Sequence, residues 1–68
     1  MPSAVIRSFD YDAGRNELTV TFVTGRVYLY LLVPPAVADT LRASFSKGAF
    51  FNREIRNRYR SREVEPAR

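Results

Sequence analysis

"FVTGRVYLYLLVPP", residues Phe22 to Pro35, sets a glycine turn between apolar runs, places two tyrosines two positions apart and ends on two prolines. Residues two apart in a strand point to the same face. Tyr28 and Tyr30 therefore share a face, and the turn before them decides which one. A two-residue turn at Thr24–Gly25 would set Phe22 opposite Val27. The tyrosines would then stand with Thr19 and Thr21 on the solvent side, as a platform for nucleotide bases. Such a type I′ turn needs positive φ at both central residues, which is costly for β-branched threonine. A three-residue loop, Val23–Thr24–Gly25, needs positive φ at glycine alone and leaves a bulge beside it. Phe22 then pairs with Arg26, and Tyr28 and Tyr30 join Val20 and Leu18 on the core face. The bulged loop is favoured, with each ring in the core and each hydroxyl seeking a partner at the rim. Val27, Leu29 and Leu31 then lie on the outer face, an unusually apolar strip for so small a chain.

Outward from this stretch, "ELTVTFV" (17–23) alternates cleanly and reads as a strand, with Leu18, Val20 and Phe22 inward and Thr19 and Thr21 outward. "AVIRSFDY" (4–11) reads as a strand before it, and "DAGRN" (12–16) is turn chemistry between the two. Three strands with short connections predict an antiparallel meander. Pro34 and Pro35 cannot continue a ladder but suit the first turn of a helix. From Pro35 onward, Val37, Leu41 and Phe45 recur every fourth residue beside Ala38, predicting an amphipathic helix of about three turns. Ser46 is placed to cap a second helix, "KGAFFNREIRNRY" (47–59), with Phe51, Ile55 and Tyr59 as its buried stripe. The expected fold class is α+β: a three-stranded antiparallel meander followed by two short helices packed on one face. Residues 1–60 form the single domain, and 61–68 form a polar tail that frays.

The chain has 68 residues, enough for one core. A chain this short buries only about 60% of its unfolded surface, which leaves self-association as an available support. It contains no cysteine and no histidine, which excludes disulfides, thiol nucleophiles, Cys-ligated zinc and the commonest general base. No apolar run approaches the ~18 residues that suggest a membrane span, and the first ten residues lack the pattern of a signal peptide. The expected location is the cytoplasm, with no membrane partner.

Net charge is +4, unevenly spread. Residues 1–41 carry a net −1, whereas residues 42–62 carry Arg42, Lys47, Arg53, Arg56, Arg58, Arg60 and Arg62 against Glu54 alone, a net +6. On a continuous helix at 100° per residue, Arg53, Arg56 and Arg60 fall within about 60° of one another, opposite Phe51, Ile55 and Tyr59. Lys47 and Asn52 lie near the same surface, and Arg58 and Arg62 flank the apolar stripe. The arginine fork suits phosphate, so this is a candidate nucleic-acid footprint; a solvated helix face is the competing reading.

Catalytic and metal patterns are weaker. Ser3, Ser8, Ser44, Ser46 and Ser61 have no histidine to activate them, and Lys47 beside Ser46 is explained by a helix start. Asp10, Asp12, Asn16 and Glu17 suggest a calcium loop, but the sixth position, where an EF-hand needs glycine, is Arg15. No catalytic residue, metal site, cofactor or small-molecule substrate is expected, and the chain reads as a non-enzymatic binding module.

The ordered combination of Phe22, the Gly25 turn, Tyr28-x-Tyr30, Val33-Pro34 and "SKGAFFNREIRNRY" resembles the KTSC domain, from about Ile6 to Tyr59. That family takes its name from a module at the C-terminus of some lysyl-tRNA synthetases and also occurs as free-standing small bacterial proteins, the form expected here. The resemblance implies RNA binding, with a tRNA-like partner, through the synthetase connection. Leu31-Leu32 departs from the smaller or more polar residue expected before Val33, which bears on the exposure of that edge and on homo-oligomer formation. Two roles from different classes follow: RNA binding through Lys47, Asn52, Arg53, Arg56 and Arg60, or self-association through Val27, Leu29 and Leu31.

Overall fold

The structure, a computed structural model, describes residues 6–65, so Ser3, Ala4, Val5 and the last three residues lie outside it. The elements run β1 (Ile6–Asp12), β2 (Glu17–Phe22), β3 (Val27–Tyr30), α1 (Pro35–Ala43), α2 (Lys47–Glu54) and β4 (Ser61–Val64). The four strands form one antiparallel sheet in the order β1-β2-β3-β4. The α+β class and the two helices are as expected. The strand count is corrected from three to four.

The hairpin between β2 and β3 is the bulged form. Gly25 has φ of 95°, the backbone N–H of Phe22 donates to the carbonyl of Arg26 (2.9 Å), and Val20 pairs with Tyr28 and Leu18 with Tyr30. The tyrosines therefore face the core. Tyr30 is buried and Tyr28 half-buried. Their register carries across the sheet: Phe9, Val20 and Tyr28 share one inward row, and Tyr11, Leu18 and Tyr30 another.

In the β1–β2 connection, the Asp12 carboxylate accepts the backbone N–H groups of Gly14 (3.0 Å) and Arg15 (3.3 Å). This is the local turn bonding that favours aspartate there. After β3, Leu32 takes a left-handed conformation (φ 57°) that turns Val33 into the core, where its N–H donates to the Asn16 carbonyl (2.8 Å). The Tyr11 hydroxyl donates to the Val33 carbonyl (2.6 Å), tying the same crossing to β1.

Leu18, Val20, Tyr30, Val33, Leu41, Phe51 and Ile55 form one buried cluster between the inner face of the sheet and the helices. Phe51 is its centre: the rings of Phe22 and Tyr30 meet it edge-to-face at 5.5 and 5.3 Å.

Three expectations about the helices are corrected. Phe45 belongs to no buried stripe, because α1 stops at Ala43 and leaves the Phe45 ring fully exposed. The second helix stops at Glu54, where the Phe51 carbonyl accepts N–H bonds from both Ile55 and Arg56 (2.9 Å each) and closes the last turn. A tight turn then carries Ile55 and Tyr59 to the core and delivers the chain to β3. The stretch read as a fraying tail is β4 over Ser61–Val64, with Val27 opposite Val64 and Tyr30 opposite Ser61. β3 is thus an interior strand. Ser46 precedes α2 but makes no side-chain capping bond; its carbonyl accepts from the Phe50 N–H (3.1 Å).

Candidate nucleic-acid interface

The early end of α2 divides the expected arginine stripe. Lys47, Asn52 and Arg53 remain on the helix, Arg56 follows in the turn, and Arg60 lies at the entry to β4, where its carbonyl accepts the Leu31 N–H (2.8 Å). Ser61 pairs in register with the core-facing Tyr30 and so belongs to the inner face of the sheet. By strand alternation its neighbours Arg60 and Arg62 belong to the outer face. The one-face arrangement of Arg53, Arg56 and Arg60 is therefore corrected: Arg53 and Arg56 stay on the helical layer and Arg60 belongs to the sheet.

What remains on the helical layer is tied down by local contacts. The Lys47 ammonium donates to the Ser44 carbonyl just beyond α1 (3.1 Å), which folds it back over the α1–α2 connection. The Arg53 guanidinium lies 6.0 Å from the centroid of the Phe50 ring and donates to the Glu54 carboxylate (3.2 Å). Arg56 donates to the Asn52 side-chain oxygen (3.3 Å), which orients the guanidinium without neutralising it. Arg58 approaches the other Glu54 oxygen at 3.8 Å. One carboxylate thus serves two arginines, while Lys47 and Arg56 have no acidic partner among the described residues.

Phe45 is the residue that sequence periodicity misplaced. It continues the four-residue spacing of Val37 and Leu41 and so reads as core. The available signal against that reading was "SFSKG", in which serine, lysine and glycine close a helix rather than extend it. The ring stands in solvent two residues before Lys47. Among the described residues, no group of three or more acidic, histidine or cysteine side chains is placed to hold a metal ion. No helix among them is long and apolar enough to cross a membrane.

Comparison with known proteins places this architecture. Residues 2–59 match the model of the KTSC domain, and the chain belongs to that family. It superposes on the crystal structure of a KTSC domain protein from Yersinia pestis with a TM-score of 0.86 and 30% identity, covering 94% of this chain and 90% of that one. It is 39% identical over 59 residues to a protein from Tsukamurella paurometabola, covering 87% of this chain and 88% of that protein. It is also 36% identical over 61 residues to a lysine–tRNA ligase from Nostoc punctiforme, covering 90% of this chain. The chain spans only 11% of that ligase's length, so the likeness is to one small module of it.

Proposed function

We propose that this KTSC domain is a non-enzymatic RNA-binding module that holds the sugar-phosphate backbone with Lys47, Arg53 and Arg56, assisted by Asn52. The observation that carries this reading is the ordered set of cations on α2 and the turn after it, together with an exposed Phe45 ring two residues before α2 begins. Backbone phosphates suit the arginine forks, and an exposed aromatic offers a base a stacking surface. Arg60 reaches a bound strand only from the sheet side. The tyrosines take no part, since their rings are committed to the core. The tRNA ligase relatives support a tRNA-like partner.

The test is a titration of the purified chain with tRNA and single-stranded RNA at two salt concentrations. Binding should weaken with salt, and the combined variant Lys47→Ala, Arg53→Ala, Arg56→Ala should flatten the log–log slope by about 2, near 0.7 per lost contact on a single strand. Phe45→Ala should weaken single-stranded RNA binding by about 1–3 kcal/mol and leave the slope unchanged. No salt-sensitive binding in dilute buffer overturns the proposal.

The uncovered outer face of the sheet supports a second role, self-association through Val27, Leu29 and Leu31. All three are half-buried within the chain, and none belongs to the core cluster.

A further inference from the structure

The outer face has a charge order that the apolar strip alone does not reveal. Strand register aligns Asp10, Thr19, Leu29 and Arg62 in one row across β1 to β4, and Ser8, Thr21, Val27 and Val64 in the next. A third row begins with Asp12 and Glu17 and is extended by Leu31 and Arg60 through their backbone hydrogen bond. In the first and third rows acids thus occupy the β1 and β2 side, arginines the β4 side, and aliphatic residues the ground between; Arg7, at the irregularity in β1, pairs in none of the rows. Asp10 and Arg62 stand three strand spacings apart, roughly 14 Å, too far to pair within one chain. Among the described residues, Asp10, Asp12, Glu17, Arg60 and Arg62 have no salt-bridge partner, and both helices pack against the opposite face.

We infer that this face pairs with a second copy of itself about a two-fold axis parallel to the strands, so that β1 of each copy lies over β4 of the other. The proposal rests on the self-association role and fixes its geometry. That axis sets Asp10 over Arg62 of the second copy and Asp12 over its Arg60, each pair occurring twice, with β3 of each copy over β2 of the other. Leu29 and Val27 then meet the methyl groups of Thr19 and Thr21. A two-fold axis perpendicular to the strands would put acid over acid and arginine over arginine, so the charge order selects the first arrangement. Aligned packing of twisted sheets about 10 Å apart accommodates it. Four strands by about six residues give roughly 400 Å² per copy, so the pair buries about 800 Å². This is below the ~1,200 Å² of stable complexes, which makes the dimer reversible and populated at high protein concentration.

Sedimentation equilibrium of the full chain up to millimolar concentration at low salt tests this. The native chain should dimerise reversibly. Asp10→Arg and Arg62→Asp, both at exposed positions, should each melt as the native protein does and dimerise about tenfold more weakly, since each reverses two pairs. Mixing the two variants should restore association, because Arg at position 10 of one then faces Asp at position 62 of the other, and the native Asp10 still faces the native Arg62. A native chain that stays monomeric overturns self-association itself. A dimer indifferent to either reversal, or a mixture that fails to recover, overturns the two-fold geometry while leaving self-association standing.

Discussion

On the inner face of the sheet, Leu18, Val20 and Tyr30 are shut away beneath α1 and α2, whereas Thr19 and Leu29, their neighbours in sequence, look out over a row that begins at Asp10 and ends at Arg62. The same strands supply both faces, and the backbone treats both alike. What separates them is side-chain content: the inner face is aliphatic and aromatic and meets Phe51, Leu41 and Ile55, while the outer one ends in unpaired charges. The fold is therefore held from one side only. Substitutions on the inner face should unfold the protein, while those on the outer face should leave the fold in place.

Two adjacent residues give the sharpest contrast. Tyr30→Ala removes a buried ring that stacks edge-to-face on Phe51, and deletions of large aromatics from cores cost about 3–5 kcal/mol. In a domain this small, that is comparable to the whole stability, so the variant should be largely unfolded at room temperature. Leu29→Thr should cost about 1 kcal/mol or less, because the β-branched replacement suits a strand and no packed neighbour loses its partner. Thermal melts followed by circular dichroism read both. Comparable losses at the two positions would break the distinction between the faces. Tyr28→Ala belongs between them, since its half-buried ring meets Phe22 edge-to-face at 5.8 Å.

The allocation of residues to the two faces rests on Gly25. Its φ of 95° lets a three-residue loop return the chain with Tyr28 opposite Val20, and a slip by one residue would exchange the faces of β3. An added Cβ meets nothing within 4 Å, so Gly25→Ala carries only the backbone penalty, about 1–2 kcal/mol. The expected result is a lower melting temperature with Tyr30 still buried. An exposed Tyr30 in that variant, read by its fluorescence quenching, would show that the turn and not the core selects the register.

This dependence on one turn explains why the hairpin was legible in the sequence and the second half was not. Threonine's aversion to positive φ is local chemistry, and the core-facing alternation of Leu18, Val20, Tyr28 and Tyr30 agrees with it. β4 offered no such pattern: its inward positions are Ser61 and Glu63, both polar, and it is held by the backbone of β3. The periodicity of Phe51, Ile55 and Tyr59 is satisfied by a helix followed by a turn as well as by a longer helix. Only the need to bring the chain back to β3 chooses between them. The same ambiguity scattered the candidate site. The cations were evident from composition, but their grouping depends on α2 ending at Glu54, and Phe45 is exposed only because α1 ends two residues before it. The family resemblance, which ran from about Ile6 to Tyr59, agreed with the first five elements and supplied neither these ends nor β4.

The smallest expected effect also belongs to the inner face, because Tyr11, Tyr28, Tyr30 and Tyr59 all lie in or against the core and the outer face carries none. Burial pushes the Tyr30 phenol above its ordinary range; the nearby Arg56 charge and the Ser61 hydroxyl oppose the rise, and Tyr28 adds to it. Below about pH 10 the phenol is neutral in both folded and unfolded chains, so its contribution is fully present there. Above that, the unfolded tyrosine releases its proton first, and the contribution is lost as pH rises through the folded value. Tyr11 shifts in the same direction, through desolvation and the carboxylates of Asp39 and Asp12, so the native protein should lose stability progressively above pH 10. Tyr30→Phe cannot ionise. The melting temperature of the native chain relative to this variant should therefore be highest near pH 8, and that gap should fall as melts are repeated up to pH 11. A gap that stays constant would mean that the Tyr30 hydroxyl reaches solvent at the rim, and the boundary between the buried and open sides of the sheet would then have to be drawn inside this residue.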